Sequence, residues 1–354
     1  MAEPLITPST PHASSLRASV LVVSRTPALL NQLLRSLDEA YGGPADCLEV
    51  LVSWNGSQEA EAAIQPGRLP VAIAQRQPYH FARNMNGLAR RARGDVLVLV
   101  NDDVIADRGS VDAALAALAR DPTIGIVGAR IRTSSGALTH AGIHFTAYGS
   151  PYHQLEGFVD GDHPVNHQEA RVPAVTGAFM ALSRADFLQL ELAESFQVCG
   201  EDVLICLRMR QELHKQILFC PAMGAIHDAE STRAQTDGQN NVADDNKRLR
   251  AGWLELMQQA DTETLKVELK AAQTEAEHLR RCCLDLQRAL TQAECALGEA
   301  QQERSQERSE LLHRQVVATQ QTLALAQLQR ENQRLQLRIQ QLDNQLAQTA
   351  PGKR

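Results

Sequence analysis

Aromatic side chains are scarce in this chain, with two Trp, four Tyr and seven Phe among 354 residues. So lean a supply points to a sizeable portion lying outside any globular core. No apolar run approaches the ~20 residues that a membrane-spanning helix needs, so no transmembrane segment is expected. The amino terminus, MAEPLITPSTPHASSLRA, has neither a basic start nor a continuous apolar stretch. It speaks against a signal peptide and reads as a disordered arm over residues 1–17. The seven cysteines, at 47, 199, 206, 220, 282, 283 and 295, make no CxxC pair and no zinc signature. Their odd number fits reduced thiols in a cytoplasmic protein. There is no basic excess: the formal net charge is −7, while residues 262–354 hold 13 Lys and Arg against 12 Asp and Glu. The acidity therefore belongs to the residues before them, which argues against a nucleic-acid surface.

What is present is a repeated alternation of strand and helix. Ser19 to Val23 reads as a first strand, followed by a helix from about Ala28 to Ala40 with five leucines on one face. Leu48 to Val52 is a second strand, and Val71 to Ala74 a third, weaker one. A helix over about Ala82 to Ala92 then leads into Val96 to Val100, an apolar run that reads as a strand buried on both faces. This alternation predicts an α/β fold, a nucleotide-binding, mostly parallel sheet flanked by helices. Further along, Ile124 to Ile131, Leu138 to Phe145, Val172 to Leu182, Ile217 to Cys220 and Ala222 to His227 read as strands. Gly200–Glu201–Asp202 opens a helix running to about Leu213, Tyr148 to Arg171 reads as a loop over a site, and Ser231 to Asp245 is loop-like.

From Leu265 the pattern changes. Leu265, Ala272, Leu279, Leu286, Ala293 and Ala300 recur every seven residues, and Leu269, Ala276, Cys283, Leu290 and Leu297 follow each by four. The register runs on through Leu311, Leu325, Leu328, Leu335, Ile339, Leu342 and Leu346, with Arg304, Glu307, Arg314 and Gln321 as polar interruptions and Asn332 in the seam. That predicts a coiled coil over residues 262–349, of about twelve heptads, joined to a globular domain over 18–258. A parallel homodimer is the expected state.

Four local features carry the chemistry. Ser24–Arg25 follows the first strand and Trp54–Asn55–Gly56–Ser57 the second. Asn101–Asp102–Asp103 follows the central strand, and Glu201–Asp202 starts a helix. The carboxyl ends of parallel strands are where ligands bind in an open α/β sheet. Adjacent carboxylates there suit a divalent cation, Mg²⁺ or Mn²⁺, holding a phosphorylated ligand.

In this order and spacing, the segments SVLVV, FARNMNGLARRARGD, NDDV, VTGAFMALSRADF, GEDVLICLRMR and FCPAMGAIHD resemble the family-2 glycosyltransferases of the GT-A fold. The resemblance covers about residues 18 to 230. It implies an inverting glycosyltransferase, a hexosyl- or deoxyhexosyltransferase. A nucleoside-diphosphate sugar would be the donor and a saccharide or glycoconjugate the acceptor, in surface polysaccharide or glycoconjugate synthesis. Asp103 would bind the divalent metal, with Asp102 beside the ribose and also counted toward the metal. His227 matches a histidine that is a further metal ligand in some relatives. Asp202 matches the acid that acts as general base, with Glu201 next to it. Ser24, Arg25 and Arg83 fall where relatives hold the nucleotide, and Thr176 and Gly177 near where they hold the donor sugar. Trp54 departs from the family, which usually has an Asp there: either it stacks on the base instead or the donor pocket is altered, and the nucleotide's identity is left open. Two other readings compete: a catalytically inactive sugar-nucleotide-binding scaffold working through its coiled coil, and a nucleotidyltransferase. SRTPALL, however, is not the Gly-rich, basic loop that the latter needs.

Overall fold

A computed structural model describes residues 18–146, 148–228 and 242–349. The expected arm over 1–17 and most of the expected loop over 231–245 lie outside these residues. In chain order the elements are β1 (Ala18–Ser24), α1 (Pro27–Ala40), β2 (Leu48–Trp54), α2 (Gln58–Glu61), β3 (Val71–Arg76), α3 (Phe81–Arg91), β4 (Val96–Asn101), β5 (Val104–Ala106), α4 (Ser110–Arg120) and β6 (Ile124–Arg132). There follow β7 (Leu138–His140), β8 (Ile143–Phe145), β9 (Pro151–His153), β10 (Ala170–Arg171), β11 (Phe179–Ser183), α5 (Arg184–Leu190), α6 (Glu201–Glu212), β12 (Gln216–His227), α7 (Ala243–Gln259) and α8 (Thr262–Thr349).

One ten-stranded sheet runs in the order β10-β12-β6-β11-β4-β1-β2-β3, with β5 added to β12 and β7 to β6. The half made of β3, β2, β1 and β4 is parallel throughout, as the early strand–helix alternation requires. Beyond β4 the sheet is mixed, because β11 runs antiparallel to both β4 and β6. Strand side chains alternate between two faces, and each face has its own core. Leu97 and Leu99 of β4 join Leu21, Met85, Leu88 and Phe187 under α3 and α5. Val96, Val98 and Val100 join Val20, Val22, Leu30, Leu33 and Val111 under α1 and α4. The central strand is thus buried on both sides, as its unbroken apolar run predicts.

Strand β12 is irregular in the middle; it keeps β6 on one edge as far as Ile226, and on the other it pairs with β10 near its start and with β5 at its end. The expected pair of strands, Ile217 to Cys220 and Ala222 to His227, is one strand broken by a bulge. Cys220 pairs with Ala129 and Gly224 with Arg130, so three residues of β12 have no partner across from them. Beyond the bulge β5 lies along its free edge, where Ile226 faces Ile105 and His227 faces Val104.

The chain divides into two compact units, one ending at Cys282 and the other starting at Cys283. The sequence puts the division some twenty residues earlier, between 258 and 262. The first turns of α8 belong to the globular unit through polar contacts that no apolar pattern announces. Glu268 pairs with Arg210. Glu275 accepts a hydrogen bond from the Tyr152 hydroxyl (2.7 Å) and lies 3.1 Å from His144 Nδ1. Cys282 is buried.

Candidate active site

The sheet gathers the expected residues along one edge. β1, β2 and β4 are parallel and in register, with Ser24 opposite Trp54 and Val23 opposite Asn101, so their carboxyl ends finish side by side. β11 arrives from the other direction and starts beside that edge, where Asn101 N–H donates to the Ala178 carbonyl at 3.0 Å. Thr176 and Gly177, just before β11, are thereby set next to the Asn101–Asp103 turn. The β5–β12 pairing brings the end of β12 to the same turn.

Within the turn the two carboxylates have different surroundings. Asp102 is buried and accepts a 2.7 Å hydrogen bond from the Ser24 hydroxyl. Burial pushes its carboxyl up to about 6. The Ser24 hydrogen bond opposes that rise, the neighbouring Asp103 charge adds to it, and the positive charge of Arg25 opposes it. Asp103 points the other way, and its Oδ1 lies 3.0 Å from His227 Nε2. The pairing follows from the ladder: His227 is the partner of Val104, the residue after Asp103. Among the described residues no group of three or more His, Cys, Asp or Glu side chains converges on one point. Asp103 and His227 therefore form a two-donor pair.

The second acid pair opens α6, whose N-cap is Gly200 with φ +110°. Glu201 is buried, whereas Asp202 is partly exposed. Asp202 Oδ2 accepts from the Gly177 N–H at 2.6 Å and from the Thr176 hydroxyl at 3.4 Å, and Oδ1 accepts from the Val203 N–H at 2.8 Å. Gly177 is required there, since a Cβ on it would meet Asp202 Cβ at 2.9 Å. The carboxylate thus stitches the start of α6 to the loop before β11.

Two expected contributors are placed differently. Trp54 is only 1 % exposed, packed in the core beneath α1, and its indole N–H donates to the Ser57 carbonyl at 3.0 Å. Its ring faces are covered by protein, so the expected stacking on a base is corrected: Trp54 is a core side chain. It shapes the turn from beneath, because a Cβ on Gly56 would meet its ring at 2.5 Å. Arg83, on α3, makes an exposed ion pair with Glu194 at 3.0 Å, and Glu194 also takes a hydrogen bond from Asn86. Nothing in these contacts ties Arg83 to the strand ends.

His140 is a contributor that motif reading passes over. It is buried, its Nε2 accepts from the Thr176 N–H at 3.4 Å, and its Nδ1 lies 3.0 Å from His153 Nδ1. Burial, then the charges of His153 and His144, hold its imidazole well below the usual histidine range. It is a neutral acceptor behind the Thr176–Gly177 loop. The signal that could find it is density: five of the eleven histidines fall between 140 and 167.

A family model described as glycosyltransferase like family 2 matches residues 17–250. The chain is 28 % identical over 235 residues to the O-antigen biosynthesis protein RfbC of Myxococcus xanthus, an alignment covering 63 % of this chain and 18 % of that protein. It is 26 % identical over 246 residues to the uncharacterized protein y4gI of Sinorhizobium fredii, covering 66 % and 25 % respectively. The chain thus spans a quarter or less of the length of these relatives. Among solved structures, the mannosyltransferase PcManGT from Pyrobaculum calidifontis, in complex with GDP-Man and Mn²⁺, aligns with a TM-score of 0.49 and 17 % identity, over 76 % of this chain and 75 % of that one. The family model takes in β1 through β12, the strand edge and both acid pairs, and on that match the chain belongs to the glycosyltransferase-like family 2, with the mixed, helix-flanked sheet of the GT-A fold.

Proposed function

We propose that the chain is an inverting, metal-dependent glycosyltransferase. It would move a hexosyl or deoxyhexosyl group from a nucleoside-diphosphate sugar to a hydroxyl of a saccharide or glycoconjugate in the cytoplasm, in surface polysaccharide synthesis. The observation that carries this reading is the meeting, at one sheet edge, of Ser24–Asp102, Asp103–His227 and Thr176–Gly177–Asp202. The similarity to an O-antigen biosynthesis protein supports the pathway.

Asp103 and His227 suit a Mg²⁺ or Mn²⁺ ion. Their donor atoms are 3.0 Å apart, which is a hydrogen-bond distance and also about the edge of an octahedron with ~2.1 Å bonds. Asp103 and His227 would hold the ion together with oxygen ligands from outside the chain, since these ions rarely take an all-protein cage. When bound, the ion offsets the negative charge that gathers on the departing nucleoside diphosphate.

The chain's own groups do the rest. Ser24 fixes Asp102 by donating to it, leaving the other carboxylate oxygen to accept from a ribose hydroxyl. Arg25 supplies positive charge at the same edge. Thr176 and Gly177 line the sugar side. Asp202 takes the proton of the acceptor hydroxyl as its oxygen bonds to the anomeric carbon and the bond to the diphosphate breaks. Three donors hold that carboxylate in place, and a carboxylate has about four acceptor sites, so one remains for the hydroxyl. Glu201, buried behind it, keeps a supporting place.

A scan of UDP-, GDP- and dTDP-sugars by calorimetry, with and without Mn²⁺, tests the reading. One nucleotide class should bind tightly only with the ion, and chelation with EDTA should abolish that binding. Equal affinity with and without metal, or no binding by any donor, would overturn it.

A further inference from the structure

The apolar seam of α8 is left open by the helix's own domain. In heptad letters the Leu269 series occupies a and the Leu265 series d. Among the described residues, the side chains seen to contact the globular unit include Glu268, Glu275 and Cys282, all at g, and His278, at c. Leu265 and Leu269, at d and a in the same stretch, remain 50 % and 59 % exposed. The helix root therefore docks with a polar flank and keeps its hydrophobic stripe for something else. From Cys283 onward both flanks are open, and Leu286, Leu290, Leu297, Leu311, Leu325, Leu328, Leu335 and Ile339 lie on the stripe at 54–69 % exposure.

We propose that a second copy of this chain covers that stripe, as a parallel, in-register two-stranded coiled coil running from Cys283 to at least Ile339. Two observations favour an identical, parallel partner. In that arrangement each g side chain faces the e side chain five residues on in the partner. Glu303 then meets Arg308, Glu310 meets Gln315 and Glu331 meets Gln336, and none of the eight g–e pairs from Cys282 to Gln336 sets like charges together. Asn332, at an a position, faces its own copy, so its amide finds a partner instead of a leucine. The polar layers at Arg304, Glu307, Arg314 and Gln321 also meet themselves; the like charges at three of them weaken the pairing there, while the leucine layers on either side stay apolar. Leu312, Val316 and Leu323 lie off the stripe beside this polar stretch, which divides the pairing into two apolar segments. The start of the pairing is set by the globular unit, which occupies the g flank as far as Cys282.

Alignment in register sets the exposed Cys283 thiol, at an a position, against the same thiol of the other chain. Cys295, also exposed, falls at f and faces away. The full chain, reduced, should sediment at micromolar concentration with twice the mass of one chain. Mild oxidation should yield a covalent dimer that persists in Cys295→Ser and vanishes in Cys283→Ser. A Leu290→Asp, Leu297→Asp double variant should run as a monomer, with the thermal unfolding of the globular unit unchanged. A monomeric reduced chain, which would leave the stripe to a different protein, overturns the proposal. So does a trimer or larger species, or a dimer that no oxidation links through Cys283, which is the signature of an antiparallel pair. None of these outcomes bears on catalysis.

Discussion

The two acid pairs of this molecule are built alike and held differently. Each has a buried member, Asp102 or Glu201, followed by a more open one, Asp103 or Asp202. Asp103 lies 3.0 Å from a ring nitrogen of His227, a side chain 124 residues away in the chain. Asp202 is gripped by two backbone N–H groups and a hydroxyl. A carboxylate facing an imidazole can exchange that contact for a shared ion at little structural cost. One held by main-chain donors is fixed in position, and its removal is felt in the fold as well as in the chemistry. The first arrangement suits a site that loads and releases a ligand, the second a group that must stay aimed at one point.

The sharpest break in this comparison is Asp103→Ala. It should lower turnover by about 10³-fold or more, because a bound metal contributes several kcal/mol of charge stabilisation. In calorimetry Mn²⁺ should no longer improve nucleotide affinity, while the melting temperature stays close to that of the parent. Asp202→Asn comes next. It keeps an acceptor oxygen for Gly177 but is far less basic, so turnover should fall by about 10²-fold, the lower end of what general-base catalysis contributes. Donor affinity should hold and the melting temperature should drop. If Asp202→Asn loses donor binding together with stability but no more activity than that explains, the carboxylate is only a structural stitch, and Glu201→Gln becomes the variant to measure.

Gly177→Ala sharpens the same contrast without touching an acid. The added methyl meets Asp202 Cβ at 2.9 Å, and moving an aimed group costs on the order of 10-fold in rate. Metal-dependent nucleotide binding should be intact, as read by the same titration. The smallest effect on activity is expected of Trp54→Phe, which keeps an aromatic ring in the core but removes the hydrogen bond to Ser57 and part of the buried indole volume. Denaturant unfolding should show a loss of about 2 kcal/mol from the two together, with donor affinity unchanged; a large loss of affinity would restore Trp54 to the binding surface.

The parallel half of the fold is legible in the sequence because β-branched runs alternate with amphipathic helices, and the run at Val96 to Val100 fits only a strand covered on both faces. Asp102 and Asp103 are legible for a positional reason, since they terminate that strand. The alliance of His227 with Asp103 is suggested by resemblance alone, because it depends on a short strand, β5, pairing with the far end of β12. Trp54 misleads because its slot in the family holds a polar residue, and a buried indole looks the same in sequence as an exposed one. The unit boundary shifts by some twenty residues for a related reason. Glu268, Glu275 and His278 dock the helix root by polar contacts, which leave no hydrophobic periodicity to read.

The bulge in β12 has a consequence for how this site can be tuned. Its three unpartnered residues, between Cys220 and Gly224, lie upstream of His227. Side chains on a strand alternate in direction, and the pairing of Gly224 with Arg130 and of His227 with Val104 fixes which way the imidazole faces. Residues with no partner across from them can be gained or lost while that pairing holds. The bulge is thus a buffer of chain length: a residue deleted at Ala222 should leave His227 facing Asp103, whereas one deleted beyond Gly224 should turn it away.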